Sequence, residues 1–322
     1  MQPPSERRVR PSRGALPRYS PPDNLRKATA LQDFTYAAAT TVDEAVSLLA
    51  AGGDRARVLA GGTDIIVQLR EGLRSADIVV DVKKIPELMT LDFDPARGLV
   101  LGAAVPCHRL YDDPQITAAY PALTDSAHII GGWQIQGRAS IGGNLCNSSP
   151  AADSIPALIA LGATCRIAGP AGTRELPVAE FCTAPGRNCL ARGEFLVSLV
   201  FPAPRGGSAY LRFIPRNEMD IAVVGVGAWV DLDASGQKIV DARIALAAVA
   251  PTPLLAEAAG KSLVGQPANE ASFKAAGEAA RKVAKPITDR RGPAEYRTHL
   301  VGVLTQRVLS IAVERAKERI KR

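Results

Sequence analysis

The sequence predicts an α+β protein with a boundary between two domains near residue 207. Strand and helix patterns alternate over the first part of the body, as in a small β-α-β-α-β unit. After the Pro- and Gly-rich segment PAPRGG, residues 202–207, three runs alternate apolar and polar residues as antiparallel strands do. The last third has helical periodicity. Strands followed by helices are typical of an α+β domain.

The first unit is defined by its helix ends and by a glycine-rich loop. Thr41, followed three residues later by Glu44, has the spacing of a capping box, and Gly52-Gly53 is a typical helix end. A short apolar strand then leads into the loop AGGTD, residues 60–64. The predicted elements are strand 34–37, helix 41–52, strand 57–60, helix 64–72 and strand 77–81.

The next section contains short strands and helices around a second glycine-rich loop, SIGGNLCNSSPAAD, residues 140–153. The segment PGRNC, residues 185–189, is a predicted turn. The predicted strands are 90–93, 99–102, 164–168 and 194–201, and the predicted helices are 108–111, 121–131 and 155–161.

The C-terminal section begins with an antiparallel meander and ends in helices. Its predicted strands are 209–214, 222–232 and 238–247, and its predicted helices are 270–284 and 296–321. With 322 residues, 47% of them hydrophobic, the chain is long enough to bury cores in two domains.

The positive charge is concentrated at the N-terminus. The first 30 residues carry seven Arg or Lys against two acids, so they account for +5 of the net +7 and leave +2 for the other 292 residues. We expect residues 1–32 to form a basic, disordered tail, because they are rich in Pro and Arg and lack apolar periodicity. The nearly neutral body argues against nucleic acid as a partner.

Two features that the sequence lacks, a long apolar segment and a paired cysteine pattern, indicate the cellular compartment. No apolar run has the length of a secretory signal or a membrane span, which predicts a cytoplasmic protein. The five cysteines are odd in number and contain no CxxC pair, which favours free thiols over a disulfide framework or a cysteine-ligated cluster.

The two glycine-rich loops are the candidate binding elements. Glycine allows a backbone to approach a ligand closely, so Gly61, Gly62, Gly142 and Gly143 suggest exposed N–H groups facing an anion. Two such loops in one domain suggest a diphosphate. Each loop alone also fits a simple Gly-Gly turn.

Other chemistries lack their signatures in this sequence. The nearest approach to a dinucleotide fingerprint, Gly225-Val226-Gly227, has Val230 at the third glycine position and lies inside a strand pattern. The three histidines lack metal-binding spacing, and no GxSxG elbow occurs. The chain therefore has no evident catalytic acid, base or nucleophile of its own, as expected if a cofactor carries the chemistry.

Five segments in order resemble one known family. They are AGGTDIIVQLR (60–70), GGWQIQGRASIGGNLCNSSPAAD (131–153), PGRNCLARGEFLVSLVFP (185–202), RFIPRNEMDIAVV (212–224) and YRTHLVGVLTQRVL (296–309). Together they resemble the FAD-binding (medium) subunit of the molybdenum hydroxylases, of the xanthine dehydrogenase and carbon monoxide dehydrogenase flavoprotein type. The resemblance covers residues 33–312.

The resemblance implies a fold and a cofactor. The fold is a two-lobed FAD-binding domain of the vanillyl-alcohol oxidase type at 33–207, with lobes at about 33–88 and 89–207, followed by a smaller α/β domain at 208–322 with an antiparallel sheet and helices, like the CO dehydrogenase flavoprotein C-terminal domain. The FAD would be bound non-covalently. The implied contacts are Ala60, Gly61, Gly62, Thr63, Asp64, Ile65, Ser140, Ile141, Gly142, Gly143, Asn144, Asp153, Leu196 and Arg212.

Some positions depart from the family. Arg212 stands where the xanthine dehydrogenases carry a flavin-contacting lysine, and Ile130 stands where some relatives place an aromatic. Arg216 and Asp220 keep an R-x-x-x-D pattern that also fits a structural ion pair. Cys146 is alone in the region where 4-hydroxybenzoyl-CoA reductase flavoproteins insert cysteines for a 4Fe-4S cluster, so no iron-sulfur cluster is expected in this chain.

The resemblance also implies an electron-transfer role with partners. FAD here would collect electrons from a small 2Fe-2S subunit, fed by a large molybdopterin subunit, and pass them to NAD, oxygen or a quinone. The unit would be a dimer of heterotrimers. Two alternatives remain open: a stand-alone flavoenzyme such as the UDP-N-acetylenolpyruvoylglucosamine reductases of the same fold, and a binding module whose glycine loops are only turns.

Overall fold

The computed structural model describes residues 32–321 of the chain. The basic tail predicted at residues 1–32 therefore lies outside the described residues, except for Gln32. The described part contains three larger sheets and one small hairpin, with helices packed between them.

The first lobe is a three-stranded parallel sheet in the order β1-β3-β2. Its elements are β1 (Thr35–Ala38), α1 (Val42–Gly52), β2 (Ala56–Leu59), α2 (Ile65–Arg70) and β3 (Ile78–Asp81). Helix α1 begins as the capping-box spacing predicts, because Thr41 Oγ1 accepts the N–H of Glu44 at 3.2 Å. The Glu44 carboxylate accepts the N–H of Thr40, at 2.8 Å, one residue earlier than the predicted partner.

The second lobe is built on a five-stranded antiparallel sheet in the order β4-β5-β10-β6-β7. The five strands of this sheet are β4 (Leu91–Asp94), β5 (Gly98–Gly102), β6 (Thr164–Gly169), β7 (Gly172–Pro177) and β10 (Phe195–Phe201). A separate hairpin is formed by β8 (Cys182–Ala184) and β9 (Arg187–Asn188). Six helices lie between β5 and β6 in the chain: α3 (His108–Tyr111), α4 (Pro114–Ala119), α5 (Pro121–Ala127), α6 (Trp133–Gln136), α7 (Ile141–Asn147) and α8 (Ser154–Leu161).

The C-terminal part is a four-stranded antiparallel sheet covered by helices, which confirms the predicted meander followed by helices. Its elements are β11 (Gly207–Phe213), β12 (Val224–Leu232), β13 (Ile239–Ala247), β14 (Leu254–Leu255), α9 (Glu257–Lys261), α10 (Glu270–Val283) and α11 (Ala294–Ile320). Within residues 32–321, no helix is both long enough and apolar enough to cross a bilayer.

The prediction of a continuous loop over 140–153 is wrong for its first half, which forms helix α7. Ser140 caps this helix, since its Oγ accepts the Gly143 N–H at 3.0 Å. Two adjacent glycines are poor helix formers, so local propensity pointed away from a helix. Packing decides the outcome, because a Cβ on Gly142 would lie 2.5 Å from the Ala103 carbonyl oxygen, and only a glycine lets α7 sit this close to the strand side of the lobe.

Helix α8 joins the two parts of the molecule. All eight of its residues are buried, and it packs against β12 and β13 as well as against its own lobe. Its C-terminus is held by Arg243, whose Nε donates to the Ala160 carbonyl at 2.7 Å while the guanidinium lies over the Trp229 ring at 4.3 Å. The backbone of α8 approaches β12 at Gly227, where a Cβ would lie 2.6 Å from the Pro156 carbonyl oxygen.

Helix α11 is fastened to the second lobe by a bidentate ion pair. Arg315 donates to both carboxylate oxygens of Asp125, at 2.6 and 3.0 Å, and also to the Ser208 carbonyl at 2.8 Å. The same carboxylate accepts the Tyr210 N–H at 3.1 Å. One acid therefore ties the long helix, strand β11 and helix α5 together.

We predict that Gly227→Ala destabilises the folded chain by about 2 kcal/mol, because the added methyl group must push helix α8 away from the sheet. Thermal or urea unfolding measures this change. Gly137→Ala is the matched control, since nothing lies within 4 Å of a Cβ at that position. Equal stability of the two variants would contradict the proposed close contact.

Candidate functional site

A large cleft in the described structure lies where both lobes and the C-terminal part meet. Its volume is ≈ 640 Å³. The first lobe contributes the segment 56–65, the second lobe contributes the segments 139–153 and 190–196, and residues 219–221 come from the C-terminal part. Clefts between structural units are common places for cofactors.

The AGGTD loop forms one side of the cleft and touches the opposite side directly. A Cβ on Gly61 would overlap the backbone carbonyl of Arg138, so the two loops can approach this closely only with glycine here. Gly62 has φ +82°, which also favours glycine. Side chains reinforce the contact, because Gln68 donates to Asn147 at 3.1 Å and Asn147 donates to Asp64 at 3.5 Å. The structure thus places both glycine loops on one cleft.

A polar network behind the AGGTD loop holds it in position. Lys83 Nζ donates to the Ala60 carbonyl at 2.9 Å and to Asp81 at 2.8 Å, and Tyr36 Oη donates to the other oxygen of Asp81 at 2.8 Å. Burial opposes ionisation of Asp81, but the hydrogen bonds from Lys83 and Tyr36 outweigh it and lower its pKa. A charged carboxylate therefore anchors the lysine that fixes the loop.

The N-terminal part of helix α7 forms the other side of the cleft. Ser140, Gly142, Gly143 and Asn144 line it, whereas Ile141 points into the hydrophobic core and is 1% exposed. The side-chain oxygen of Asn144, Oδ1, accepts a hydrogen bond from the Ser154 hydroxyl at 2.7 Å, and this bond fixes the orientation of the Asn144 side-chain amide. The start of helix α7 thus presents small and polar residues to the cleft.

Two connected segments, 151–153 and 219–221, form one wall of the cleft, which we call the end wall. Arg212 joins them, because its Nη1 donates to Asp153 at 2.7 Å and to the Asp220 carbonyl at 3.3 Å. Tyr210 Oη donates to the other Asp153 oxygen at 3.0 Å. Burial raises the pKa of Asp153 to about 6, although Arg212 and Tyr210 both favour the ionised form.

The remaining charges of the cleft favour an anion. Glu194 is paired with Arg174 through two contacts of 2.7 Å, and the Arg216–Asp220 pair anticipated as a structural one forms at 3.3 Å. Arg57 lines the cleft, and within the described residues its buried Nε has no hydrogen-bond acceptor. Burial, together with the nearby charges of Arg74 and Arg55, lowers the pKa of Arg57.

The structure brings most of the predicted contact residues together. Twelve of the fourteen line the cleft, and Ile141 and Arg212 do not. Arg212 instead lies behind Asp153 with its side chain 7% exposed. Sequence reasoning missed Arg57, Arg74, Gln68 and Asn147, all of which line the cleft. Arg57 lies in strand β2, three residues before the AGGTD loop that this strand leads into. A cation so close to a predicted anion-binding loop is the sequence signal that could have identified it.

Other potential centres are not assembled in the described part of the chain. All five cysteines carry free thiols, as the sequence predicts. Residues 32–321 contain no group of three or more His, Cys, Asp or Glu side chains placed to hold a metal ion. Cys146 lines the cleft, but burial raises the pKa of its thiol to about 12, which keeps it protonated and unreactive.

Comparison with known proteins decides the family. Residues 32–204 match the FAD binding domain in molybdopterin dehydrogenase, and residues 209–312 match the CO dehydrogenase flavoprotein C-terminal domain. The chain belongs to the FAD-binding subunits of the molybdopterin dehydrogenases. The resemblance stated from the sequence is therefore confirmed, and so is the two-domain FAD-binding fold with an antiparallel sheet and helices in its C-terminal domain.

Individual relatives support this assignment along nearly their whole length. The xanthine dehydrogenase FAD-binding subunit of Escherichia coli O157:H7 is 33% identical over 288 residues, which cover 88% of this chain and 98% of that subunit. The carbon monoxide dehydrogenase medium chain of Afipia carboxidovorans is 35% identical over 290 residues, 89% of this chain and 98% of that one.

Solved structures agree with the sequence relatives. The crystal structure of Cu,Mo-CO dehydrogenase matches with a TM-score of 0.84 and 31% identity, covering 89% of this chain and 100% of that one. Quinoline 2-oxidoreductase from Pseudomonas putida 86 matches with a TM-score of 0.82 and 29% identity, covering 89% and 99%. This FAD-binding subunit is thus a component of an oxidoreductase.

We predict that Tyr210→Phe raises the pKa of Asp153 above its value of about 6, because a hydrogen bond that favours the carboxylate is lost. Carbon-13 NMR of labelled aspartate measures it. Since this pKa already lies above the ordinary 3.8, the stabilisation from the bound proton is complete below about pH 3.8 and is lost as pH rises through about 6. In the Tyr210→Phe variant this stabilisation should be lost at a higher pH, because the pKa of Asp153 is higher.

The control for this titration is Tyr36→Phe. It removes the matching hydroxyl-to-carboxylate bond at Asp81, in the network behind the AGGTD loop, and should leave Asp153 unchanged. An Asp153 pKa that does not respond to Tyr210→Phe would show that the hydroxyl contributes nothing to the charge at the end wall.

Proposed function

We propose that this subunit binds FAD non-covalently in the cleft and carries electrons within a molybdopterin-dependent hydroxylase. The convergence of the two glycine loops on one cleft is the observation that carries this proposal. The family membership of the chain supports FAD as the ligand.

The residues present fit a large anionic cofactor. At Gly61 the AGGTD loop is in direct backbone contact with the residues just before helix α7, so N–H groups from both segments would bind one diphosphate. Arg57 lines the same wall, and its guanidinium offers further N–H donors to an anion. Three of the four carboxylates that line the cleft are paired with arginines, which limits their repulsion of phosphate.

Specific roles follow for the predicted contacts. The segments 60–65 and 140–144 would hold the diphosphate and the chain beside it, and Asp153 would accept a hydrogen bond from a hydroxyl group. Leu196 and Ile130 would provide apolar contact with the rings. Arg212 would act from behind Asp153, by orienting that carboxylate, rather than by contacting the flavin as its family position implies.

When bound, FAD supplies both one-electron and two-electron redox steps, so it suits a junction between two kinds of electron carrier. This chain contributes binding, orientation and the exclusion of water. Among the cleft residues, the buried thiol of Cys146 stays protonated and would not act as a nucleophile.

The proposal also covers the partner subunits, the final electron acceptor and the cellular location. We propose a large molybdopterin subunit and a small 2Fe-2S subunit as partners, assembled as a dimer of heterotrimers, with NAD, oxygen or a quinone as the final acceptor. The free thiols are compatible with the reducing cytoplasm. We also propose domain limits of 33–207 and 208–322, with a change of lobe near residue 88.

Purification of the chain with its natural partners tests the assignment. The complex should contain FAD, molybdenum and iron in fixed ratios, and reduction of the iron centres by substrate should precede reduction of the flavin. A complex without molybdenum and iron would overturn the proposed role. Steady turnover of a small molecule by the isolated, FAD-loaded chain would instead favour the stand-alone flavoenzyme.

We predict that Gly61→Ala loses at least about 90% of its bound FAD after purification, since the methyl group must separate the two loops that hold the diphosphate. The flavin absorbance per protein measures occupancy. Gly277→Ala is the control, because it crowds helices α10 and α11, with a Cβ 2.9 Å from the Gly302 carbonyl oxygen, outside the cleft. Equal loss of FAD from both variants would indicate a general effect on folding and not a specific one on the cleft.

A further inference from the structure

One arginine of the closing sequence segment YRTHL has no role in the function described so far. Arg297 is the fourth residue of helix α11 and is 4% exposed, which makes it the only cation among the buried residues of the described part of the chain. It does not line the cleft. Its position therefore needs a physical explanation.

The location of Arg297 is unfavourable by itself. A cation loses hydration when it is buried, and one near the N-terminus of a helix opposes the helix dipole. Its buried Nε also lacks an acceptor within residues 32–321. The contacts made by its two terminal nitrogens must therefore offset these costs.

Those contacts join the ends of two neighbouring strands. Nη1 donates to the carbonyl of Val223 at 3.0 Å and to the carbonyl of Ala248 at 3.1 Å, while Nη2 donates to Asp289 at 2.6 Å. Val223 immediately precedes β12, and Ala248 immediately follows β13. The guanidinium thus bridges the two strands where their own pairing ends, and Asp289 balances its charge.

Each bridged residue is linked to one segment of the end wall, Val223 along the chain and Ala248 by a hydrogen bond. Val223 lies two residues after Ile221, which lines the cleft together with Met219 and Asp220. Ala248 donates its N–H to the Pro150 carbonyl at 2.7 Å, and Pro150 directly precedes the segment 151–153. Both segments of the end wall are therefore one or two residues from a backbone group that depends on Arg297.

The backbone at Ala248 shows that this arrangement is held under constraint. Ala248 has φ +63°, in the left-handed region that a residue with a Cβ adopts only when its surroundings require it. Its N–H is bound to Pro150 and its carbonyl to Arg297. Without the arginine, one of the two contacts that keep Ala248 in this conformation is lost.

We propose that Arg297 is a positioning residue for the FAD site: through the carbonyl groups of Val223 and Ala248 it sets the distance between the two segments of the end wall. This role rests on the FAD-binding function proposed above. Arg297 acts from the C-terminal domain and touches no part of the cofactor cleft, so its effect reaches the bound FAD only through the end wall.

The test compares Arg297→Met and Arg297→Lys with the parent in the full-length chain. Lys keeps the charge, but its single ammonium group lacks the two-nitrogen fork that holds both carbonyls and Asp289 in one geometry, so it should fold and still disturb the end wall. We expect both variants to bind FAD about tenfold more weakly, as for the loss of a charge-assisted hydrogen bond. At saturating FAD, the visible circular dichroism of the bound flavin and its midpoint potential should also change.

Arg315→Met is the matched control. Arg315 lies on the same helix and fastens the same domain through Asp125, but neither residue lines the cleft. This variant should unfold at a lower temperature and leave FAD affinity, flavin dichroism and potential at the parent values. If Arg297→Met fails to fold, Arg297→Lys decides the question with the same three measurements.

The outcomes separate this inference from the proposed function. A parent chain that takes up no FAD would contradict the proposed function itself. A parent that binds FAD, with Arg297→Lys showing the parent's affinity, dichroism and potential, would overturn the positioning role and leave the FAD site intact. Changes in all three measurements, absent in Arg315→Met, would support it.

Discussion

The candidate site depends on a contact between two backbones that a side chain would prevent. At Gly61 the AGGTD loop meets the carbonyl of Arg138, so the first and second lobes touch at the point where both present main-chain groups to the cleft. Further hydrogen bonds hold each of the two contacting segments in place. The Lys83–Ala60 hydrogen bond secures the loop from one side, and the Ser140 cap secures helix α7 from the other.

The C-terminal domain contributes to the cleft although it supplies only a few lining residues. Asp153 belongs to the second lobe, but its carboxylate is held by Tyr210 and Arg212, which lie on the first strand of the C-terminal sheet. The charge of this acid is thus controlled across a domain boundary. Helix α8 follows Asp153 directly and is buried between the same two units, so folding of the domains and completion of the site are coupled.

The electrostatics of the cleft reflect a balance between burial and pairing. Burial raises the pKa of Asp153, Glu194 and Asp220, and the arginine partner of each carboxylate opposes this to a different degree. For the deeply buried Asp153, burial wins and its pKa rises, whereas for the more exposed Glu194 the ion pair wins and its pKa falls. Such a cleft can accept a diphosphate with only Arg57 and Arg74 as unbalanced cations within the described residues.

The α+β class, the capped helix α1, the antiparallel meander and the AGGTD loop could all be predicted from the sequence, because they follow from local periodicity, capping residues and the special freedom of glycine. By contrast, long-range contacts place SIGGN at the start of a helix, turn Ile141 toward the core and put Arg212 behind Asp153. They also let Lys83 fasten the AGGTD loop and Arg297 bridge the backbone at Val223 and Ala248. These contacts join residues tens of positions apart, and local propensity contains no information about them.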